Sequence, residues 1–210
     1  MIDVKQQISA VRRTLGTRDL EAGEARVSTI SQVYDTDIDD LWDAVTNAER
    51  IPRWFLPVSG DLREGGHYRL EGNASGTISR CERPRGYAAT WEYGGNVSWI
   101  EVRLSPEGDG RTRLELEHVA HDAAEFWAQF GPTATGIGWD MGLFGLAGHL
   151  SGAKDAVDPK AALAWMRSDD GKLFMRLSAD AWADAYVATG ADAEIARGMA
   201  DRGYAAYAEG

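Results

Sequence analysis

The sequence predicts an α+β protein in which one antiparallel sheet is wrapped around a long helix. Three observations predict this class. Between residues 65 and 119, short segments rich in β-branched and aromatic residues alternate with clusters of glycine, proline and asparagine. Residues 136–150 then repeat apolar side chains at helical spacing. Residues 151–210 return to helical periodicity, with capping residues before the helical segments.

The composition excludes several functional classes. The 210 residues carry a formal net charge of −11 without a basic cluster, so we expect no nucleic-acid partner. No run approaches the ~18 apolar residues of a membrane span. The single cysteine, Cys81, cannot form an intramolecular disulfide, and no N-terminal apolar run resembles a signal peptide. We therefore expect a cytoplasmic protein.

The first elements are an N-terminal extension and the first main strand. The apolar residues of the extension, residues 1–23, have helical spacing from Val4 to Leu15, but residues 12–20 equally fit a strand before a turn at 21–24. These alternatives stay open. Within residues 26–34, mostly β-branched residues recur at every second position. This pattern predicts the first strand of a central domain that covers residues 24–150.

Two short helices should follow this strand. Ile38, Leu41, Trp42 and Val45 recur at the spacing of one helix face, and Thr36 or Asp37 could cap that helix. A second helix over residues 48–54 should be irregular because it contains Pro52.

A run of about six antiparallel strands should come next. The sequence marks strands at residues 67–71, 77–82, 87–93, 97–104 and 112–119. The last two alternate clearly between apolar and charged side chains. Their expected inward residues are Ile100, Val102, Leu104, Leu114, Leu116 and His118, and their expected outward residues are Arg103, Arg113, Glu115 and Glu117.

The long helix at 136–150 has two stripes. Its apolar seam, which should face the concave side of the sheet, consists of Trp139, Leu143, Leu146 and Leu150. The opposite stripe consists of Gly138, Gly142, Gly145 and Gly148. Since each glycine costs about 1 kcal/mol relative to alanine inside a helix, we expect the stripe to admit closely packed C-terminal helices.

The last part of the chain, residues 151–210, should be a helical C-terminal extension. After a polar linker at 151–157, Asp158 and Pro159 should open a helix that runs through Met166. Ser178 should cap a helix over 179–189, and a last helix should cover 193–207. Their apolar stripes need a partner, which could be the protein's own sheet, a second copy of the chain in a homodimer, another protein or a pocket mouth.

These elements, in this order, resemble the helix-grip (START-like, Bet v-like) fold of the SRPBCC superfamily. More narrowly, residues 24–150 resemble the family of the C-terminal domain of the activator of heat-shock-protein-90 ATPase. The resemblance rests on residues 34–55 (YDTDIDDLWDAVTNAERIPRWF), Gly65-Gly66 with Tyr68, Thr90-Trp91, residues 112–118 (TRLELEH) and Gly138-Trp139-Asp140. It implies a cavity between sheet and long helix, used in the superfamily for lipid transport, polyketide cyclisation, hormone sensing or protein contacts.

Parity and position in the resembling family together select twelve candidate wall residues for this cavity. They are Trp42, Trp54, Phe55, Tyr68, Leu70, Ile78, Trp91, Ile100, Leu116, His118, Trp139 and Leu143. An aromatic wall with few polar groups suits a small hydrophobic ligand, and His118 is the best polar anchor. We therefore expect a non-enzymatic ligand-binding protein without cofactor or metal, for which the resembling family implies a stress-response role.

Two other classes of function remain open, an enzyme and a protein-interaction module. A cyclase or hydrolase would need one general base, for which His118, Asp140, Tyr68 and Tyr93 are candidates, although we expect Asp140 to be a solvated or helix-terminal carboxylate. A metal site would need His118 and His121, with Asp122 and Glu125, but residues three apart on a strand point to opposite faces. The resembling family's name implies a co-chaperone-like protein-interaction module as the third class.

Overall fold

The computed structural model describes residues 2–121, 124–152 and 157–209. Its contacts divide the chain into two compact units. The helical unit consists of Met1–Ile30, His121–Phe144 and Asp158–Gly210, and the sheet unit consists of Ser31–Ala120 and Gly145–Val157. Asp122 and residues 153–156 of the predicted linker lie outside the described residues. The domain boundaries at 23 and 150 stay a prediction.

The described residues contain one eight-stranded sheet with the strand order β1-β2-β8-β7-β6-β5-β4-β3. Neighbouring strands from β3 to β8 pair in antiparallel fashion. Residues 12–20, for which the sequence left helix and strand open, form a strand. The short strand β3 was not predicted. The strands are β1 (Arg12–Leu20), β2 (Gly23–Tyr34), β3 (Val58–Gly60), β4 (His67–Leu70), β5 (Ser75–Glu82), β6 (Gly86–Tyr93), β7 (Asn96–Gly108) and β8 (Arg111–Ala120). The predicted α+β class is therefore confirmed.

The helices largely follow the predicted capping signals. Asp37 caps α2 by accepting the N–H of Asp40, Asp158 caps α5, and Pro52 lies in a single 3₁₀ turn, Ile51–Arg53. The helix α3 was not predicted. The helices are α1 (Val4–Ala10), α2 (Ile38–Thr46), α3 (Ala124–Phe130), α4 (Thr133–Leu150), α5 (Pro159–Arg167), α6 (Asp169–Val187) and α7 (Ala193–Ala208). Within residues 2–121, 124–152 and 157–209, no helix has the length and apolarity that a membrane crossing requires.

The start of α6 was predicted wrongly. The helix begins ten residues earlier than expected, with Ser168 as its cap, and Ser178 lies inside it. A glycine at Gly171 suggests a break, but here it permits close packing, because a Cβ at that position would lie 2.1 Å from the carbonyl oxygen of Trp165. The turn between α5 and α6 therefore leaves no room for a side chain at position 171.

The core of the helical unit joins residues that are far apart in the sequence. Val4 of α1 and Ile137 of α4 pack with residues of α6 and α7. The α6 and α7 members are Phe174, Met175, Ala179, Ala183, Ala196 and Ala200. The C-terminal helices thus bury much of their apolar surface within the chain itself, although Ile195 of α7 is exposed.

The helix α4 is buried on more sides than a two-stripe pattern predicts. Ile137 and Asp140 are buried, as are Leu143 and Leu146 of the predicted seam. Two glycines admit the C-terminal helices, as expected for Gly138 of the predicted stripe but not for Gly136, which was outside it. A Cβ at Gly136 would lie 2.4 Å from the indole of Trp182, and one at Gly138 would lie 3.1 Å from the Tyr207 hydroxyl. Gly145 differs, since its Cβ would lie 2.2 Å from the carbonyl oxygen of Trp54.

The buried carboxylate of Asp140 contradicts the expectation of a solvated or helix-terminal group. Its side chain is 1% exposed and forms a two-point ion pair with Arg13, with nitrogen–oxygen distances of 2.5 and 3.0 Å. The Ser178 hydroxyl and the Trp182 indole N–H also donate to it, at 2.6 and 2.9 Å. This polar cluster connects β1, α4 and α6 within the helical unit.

Candidate functional site

The sheet unit contains a continuous inner face, defined as the face over which α2 lies. Helix α2 contacts β7 and β8, and the Thr112 hydroxyl donates to the carbonyl oxygen of Thr36 just before that helix. The strand register places His118, Ile100, Ala89 and Ile78 in one row across this face. The neighbouring row consists of Leu116, Val102, Tyr87 and Cys81.

Ten of the twelve predicted wall residues lie in the sheet unit, and the structure leaves their role in binding a prediction. Trp42, Tyr68, Leu70, Ile100 and Leu116 are buried. Trp54, Phe55, Ile78, Trp91 and His118 keep part of their surface accessible. The remaining two, Trp139 and Leu143, lie on the part of α4 that belongs to the helical unit.

The aromatic pair Trp54–Phe55 follows the 3₁₀ turn. The two rings stack with centroids 5.4 Å apart, and the Trp54 indole N–H donates to the carbonyl oxygen of Ala44 at 2.9 Å. Gly145 of α4 provides the space for the Trp54 backbone. The position of this pair therefore depends on α2 and on a glycine of α4.

A charged network that was not predicted holds the chain just before this pair. Arg50 contacts the carboxylates of Asp40 and Asp43 at 2.7 and 3.0 Å, and its Nε–H donates to Nε2 of His149 at 3.2 Å. A hydrogen bond from Thr36, with a further contribution from Arg50, holds the pKa of Asp40 below its usual value. The network fixes the turn against α2 and the end of α4.

His118, the predicted polar anchor, lies on the inner face beside Ser98. Its Nε2 atom is 2.8 Å from the Ser98 hydroxyl oxygen, and that hydroxyl donates to the carbonyl oxygen of Trp91 at 3.1 Å. Since Ser98 donates to a carbonyl, the hydrogen bond with His118 requires the imidazole N–H as donor. Burial lowers the pKa of His118 to about 4, so the ring is neutral at pH 7.

This arrangement differs from a nucleophile activated by a base. In such a pair the hydroxyl donates its proton to the imidazole, whereas the Ser98 hydroxyl donates to the main chain. A pKa of about 4 also makes His118 a weak base at neutral pH. Sequence reasoning found His118 through strand parity. The same parity places Ser98 and Tyr87 on this face, but neither was selected.

The tyrosines proposed for proton transfer have different environments. Tyr68 is buried, and its hydroxyl donates to the carbonyl oxygen of Thr90 at 2.7 Å across Gly76, where a Cβ would lie 2.0 Å from that oxygen. Burial raises the pKa of Tyr68, so its phenol stays protonated. Tyr93 is 60% exposed at the end of β6. Asp140 is enclosed in its ion pair with Arg13.

The two histidines proposed for a metal site bind different partners. His118 bonds to Ser98, while Nδ1 of His121 is 3.2 Å from the carbonyl oxygen of Glu24. Outside residues 122–123 and 153–156, no three histidine, cysteine, aspartate or glutamate side chains of the described chain are placed to bind one metal ion.

The outer face of the sheet is charged and ion-paired. Arg80 and Arg103 both contact Glu101, and Arg103 also contacts Glu115 at 3.0 Å. Burial alone would raise the pKa of Glu101, but hydrogen bonds from Arg103 and Arg80 lower it. A groove of about 410 Å³ lies among these side chains. Because its charges largely neutralise one another, the groove favours no particular ligand.

An apolar patch lies on the β6–β7 hairpin. We define it as Val97 and Trp99, whose side chains are 50% and 37% exposed on the outer face of β7. The C-terminal helices also expose Leu163, Leu173 and Ile195. A homodimer or protein contact through those helices stays a prediction.

The comparisons with known proteins agree with this fold. The sequence model of the family described as Activator of Hsp90 ATPase homolog 1-like protein matches residues 35–150. CalU16 from Micromonospora echinospora is similar over nearly its whole length. Its crystal structure shares 38% identity and a TM-score of 0.66 over 85% of this chain and 97% of that chain. Its solution NMR structure shares 40% identity and a TM-score of 0.69 over 87% and 97%.

More distant structures share the fold alone. DynU16, a protein in the dynemicin biosynthetic locus, has 20% identity and a TM-score of 0.52 over 60% of this chain and 47% of its own. The comparison with curated proteins gives no match.

Proposed function

The chain belongs to the activator of Hsp90 ATPase homolog 1-like family of the SRPBCC superfamily, and on that premise we propose that it binds a small hydrophobic molecule against the inner face of its sheet. One observation carries the proposal. Trp54, Phe55, Ile78 and Trp91 keep accessible surface although their neighbours Trp42, Tyr68 and Ile100 are buried. Aromatic side chains that a core leaves partly uncovered provide dispersion and stacking surface for an apolar ligand.

Dye titration tests this proposal. We expect the uncharged dye N-phenyl-1-naphthylamine to bind saturably, with a rise in its fluorescence. Trp91→Ala should weaken binding at least about fivefold, because it removes a large apolar contact surface. Trp99→Ala is the matched control, since Trp99 is exposed on the opposite face of the adjacent strand. Circular dichroism checks that both variants fold. A titration that does not saturate, or equal weakening by both variants, would refute the proposal.

A second candidate function is contact with an Hsp90-type chaperone, which the family's name suggests and the exposed apolar patch favours. Exposed, clustered apolar side chains mark protein-interaction surfaces more often than isolated ones do. If this function holds, the chain should stimulate the ATPase of Hsp90 from its own host. The double substitution Val97→Ser and Trp99→Ser should remove that stimulation, while Trp91→Ala should retain it. Unchanged ATPase activity in the presence of the wild-type chain would exclude this function.

A further inference from the structure

We propose that Tyr87 is the hydrogen-bond donor that selects the ligand, and that the ligand is an uncharged aromatic molecule with an acceptor oxygen, such as an aromatic ketone. This inference rests on the proposed function and adds its polar specificity. Tyr87 lies on β6 between the strand partners Cys81 of β5 and Val102 of β7. Its ring meets that of Trp42 edge to face, with centroids 6.5 Å apart.

Tyr87 differs from three other hydroxyl side chains on the inner face of β4–β8. The hydroxyls of Tyr68, Ser98 and Thr112 each donate to a main-chain carbonyl oxygen. Within residues 2–121, 124–152 and 157–209, the Tyr87 hydroxyl makes no hydrogen bond, and its side chain is only half-buried. Because the side chain is half-buried, this hydroxyl is open to a partner from outside the protein. Tyr93 has the same strand parity but is 60% exposed at the end of β6, so the Tyr87 hydroxyl is the half-buried donor available to a bound molecule.

The protonation state of Tyr87 suits this role. Burial raises the pKa of Tyr87 to about 12, with a smaller contribution from Cys81. The phenol is therefore neutral at physiological pH and offers a proton to an acceptor. A carbonyl oxygen is the matching group, because it accepts a hydrogen bond without carrying a charge.

The charge of the inner face excludes an ionised ligand. From β4 to β8, the inner-face positions among the described residues contain no lysine, arginine, aspartate or glutamate. The one titratable cation precursor there is His118, and burial lowers its pKa to about 4. A carboxylate or sulfonate on this face would lose its hydration without gaining a counter-ion, which is strongly unfavourable. The rings of Trp42, Tyr87 and Trp91 instead favour a flat aromatic body.

Matched probes test the inference. Fluorene and 9-fluorenone have the same tricyclic frame, but only the ketone carries an acceptor. Binding is measured by displacement of N-phenyl-1-naphthylamine. We expect wild-type protein to prefer 9-fluorenone by about fivefold, which corresponds to one neutral hydrogen bond. Tyr87→Phe should reduce this ratio to about one. Tyr93→Phe, which alters an exposed tyrosine on the same strand, should leave it unchanged. 9-Fluorenone-2-carboxylate should bind at least about tenfold more weakly than 9-fluorenone.

The possible outcomes distinguish failure of this inference from failure of the proposed ligand-binding function. If neither hydrocarbon nor ketone binds, both proposals fail. If the probes bind but Tyr87→Phe leaves the ratio unchanged, or if the carboxylate binds as tightly as the ketone, ligand binding stands and the inference is overturned. An unchanged ratio would mean that Tyr87 donates only to water.

A second measurement needs no substitution of Tyr87. The single cysteine, Cys81, is the strand partner of Tyr87 on this face and is half-buried. We expect 9-fluorenone to slow the reaction of Cys81 with a small thiol-reactive compound. At the same concentration, fluorene should slow that reaction less. Equal protection by the two compounds would also overturn the inference.

Discussion

At the scale of single residues, the carboxylate of Asp140 is tightly constrained. It accepts four hydrogen bonds from Arg13, Ser178 and Trp182. Burying an ion pair has a high desolvation penalty, so such a pair adds little net stability over an apolar one of the same shape. Removal of one partner is different, because it leaves the other charge buried alone. The cluster therefore fixes one particular arrangement of β1, α4 and α6.

The first prediction concerns this ion pair. Asp140→Asn should lower the free energy of unfolding by about 3 kcal/mol, because the buried Arg13 loses its counter-charge. Asp180→Asn is the control, since Asp180 is exposed in its ion pair with Arg176, and it should change stability by less than about 1 kcal/mol. Urea denaturation measures both. Equal effects would show that the cluster does not constrain the fold.

The second prediction concerns pH. The pKa of His118 is about 4 in the folded protein because of burial, while an exposed histidine titrates near 6.5. Between these values the unfolded chain binds more protons, so the free energy of unfolding falls as the pH drops from about 6.5 to about 4. The slope from this group approaches about 1.4 kcal/mol per pH unit. His118→Gln should remove that part of the slope in urea titrations at several pH values, whereas His67→Gln, at an exposed site, should retain it.

Parity predicted part of the inner face but not its chemistry. Alternation along β7 and β8 correctly placed Ile100, Leu116 and His118 inward. It could not show that the Ser98 hydroxyl is directed at a carbonyl, or that Asp140 is buried, because both depend on contacts between distant segments. A carboxylate in a helix pattern resembles a solvent-facing residue until its partner on another element is known.

At the scale of secondary-structure elements, α4 shows why glycines interrupt a buried helix. Gly136 and Gly138 face α6 and α7, and a side chain at either position would meet Trp182 or Tyr207. The sequence predicted this use for Gly138 of the glycine stripe. It could not distinguish Gly145, which instead lies against the backbone of Trp54, because helical periodicity defines faces but not their neighbours.

The third prediction concerns Gly136→Ala. In an isolated helix this change would stabilise by about 1 kcal/mol. Here the new Cβ would lie 2.4 Å from the Trp182 indole and would displace the N–H that donates to Asp140. We expect a net destabilisation of about 2 kcal/mol in urea denaturation. Gly16→Ala in β1, with no atom within 4 Å of the new Cβ, should change stability by less than about 0.5 kcal/mol. A stabilised Gly136→Ala protein would contradict the close contact.

At the scale of the whole molecule, sequence patterns predicted the order of elements better than their grouping. The strand run, the long helix and the last helix were predicted from alternation, periodicity and caps. The helical unit, however, combines the two ends of the chain with the first part of α4. Local patterns do not reveal such a combination, because its contacts join residues more than 100 positions apart, as Arg13 and Asp140 are.

The fourth prediction follows from that combination. Removal of residues 158–210 should leave a chain without a cooperatively folded helical unit, because Val4 and Ile137 lose the α6 and α7 side chains that bury them. Several buried apolar contacts are lost at once, and each contributes about 2–5 kcal/mol. Their sum exceeds the usual stability of a domain.

Size-exclusion chromatography and proton NMR should therefore show aggregation or poor dispersion for the truncated chain. Ile195→Ser in the intact protein is the control, since Ile195 is 57% exposed on α7 and its replacement should leave both measurements unchanged. A truncated chain that remains monomeric, with an unfolding midpoint within a few degrees of the full-length protein, would show that the C-terminal helices are an accessory. The expected result instead makes them part of the core.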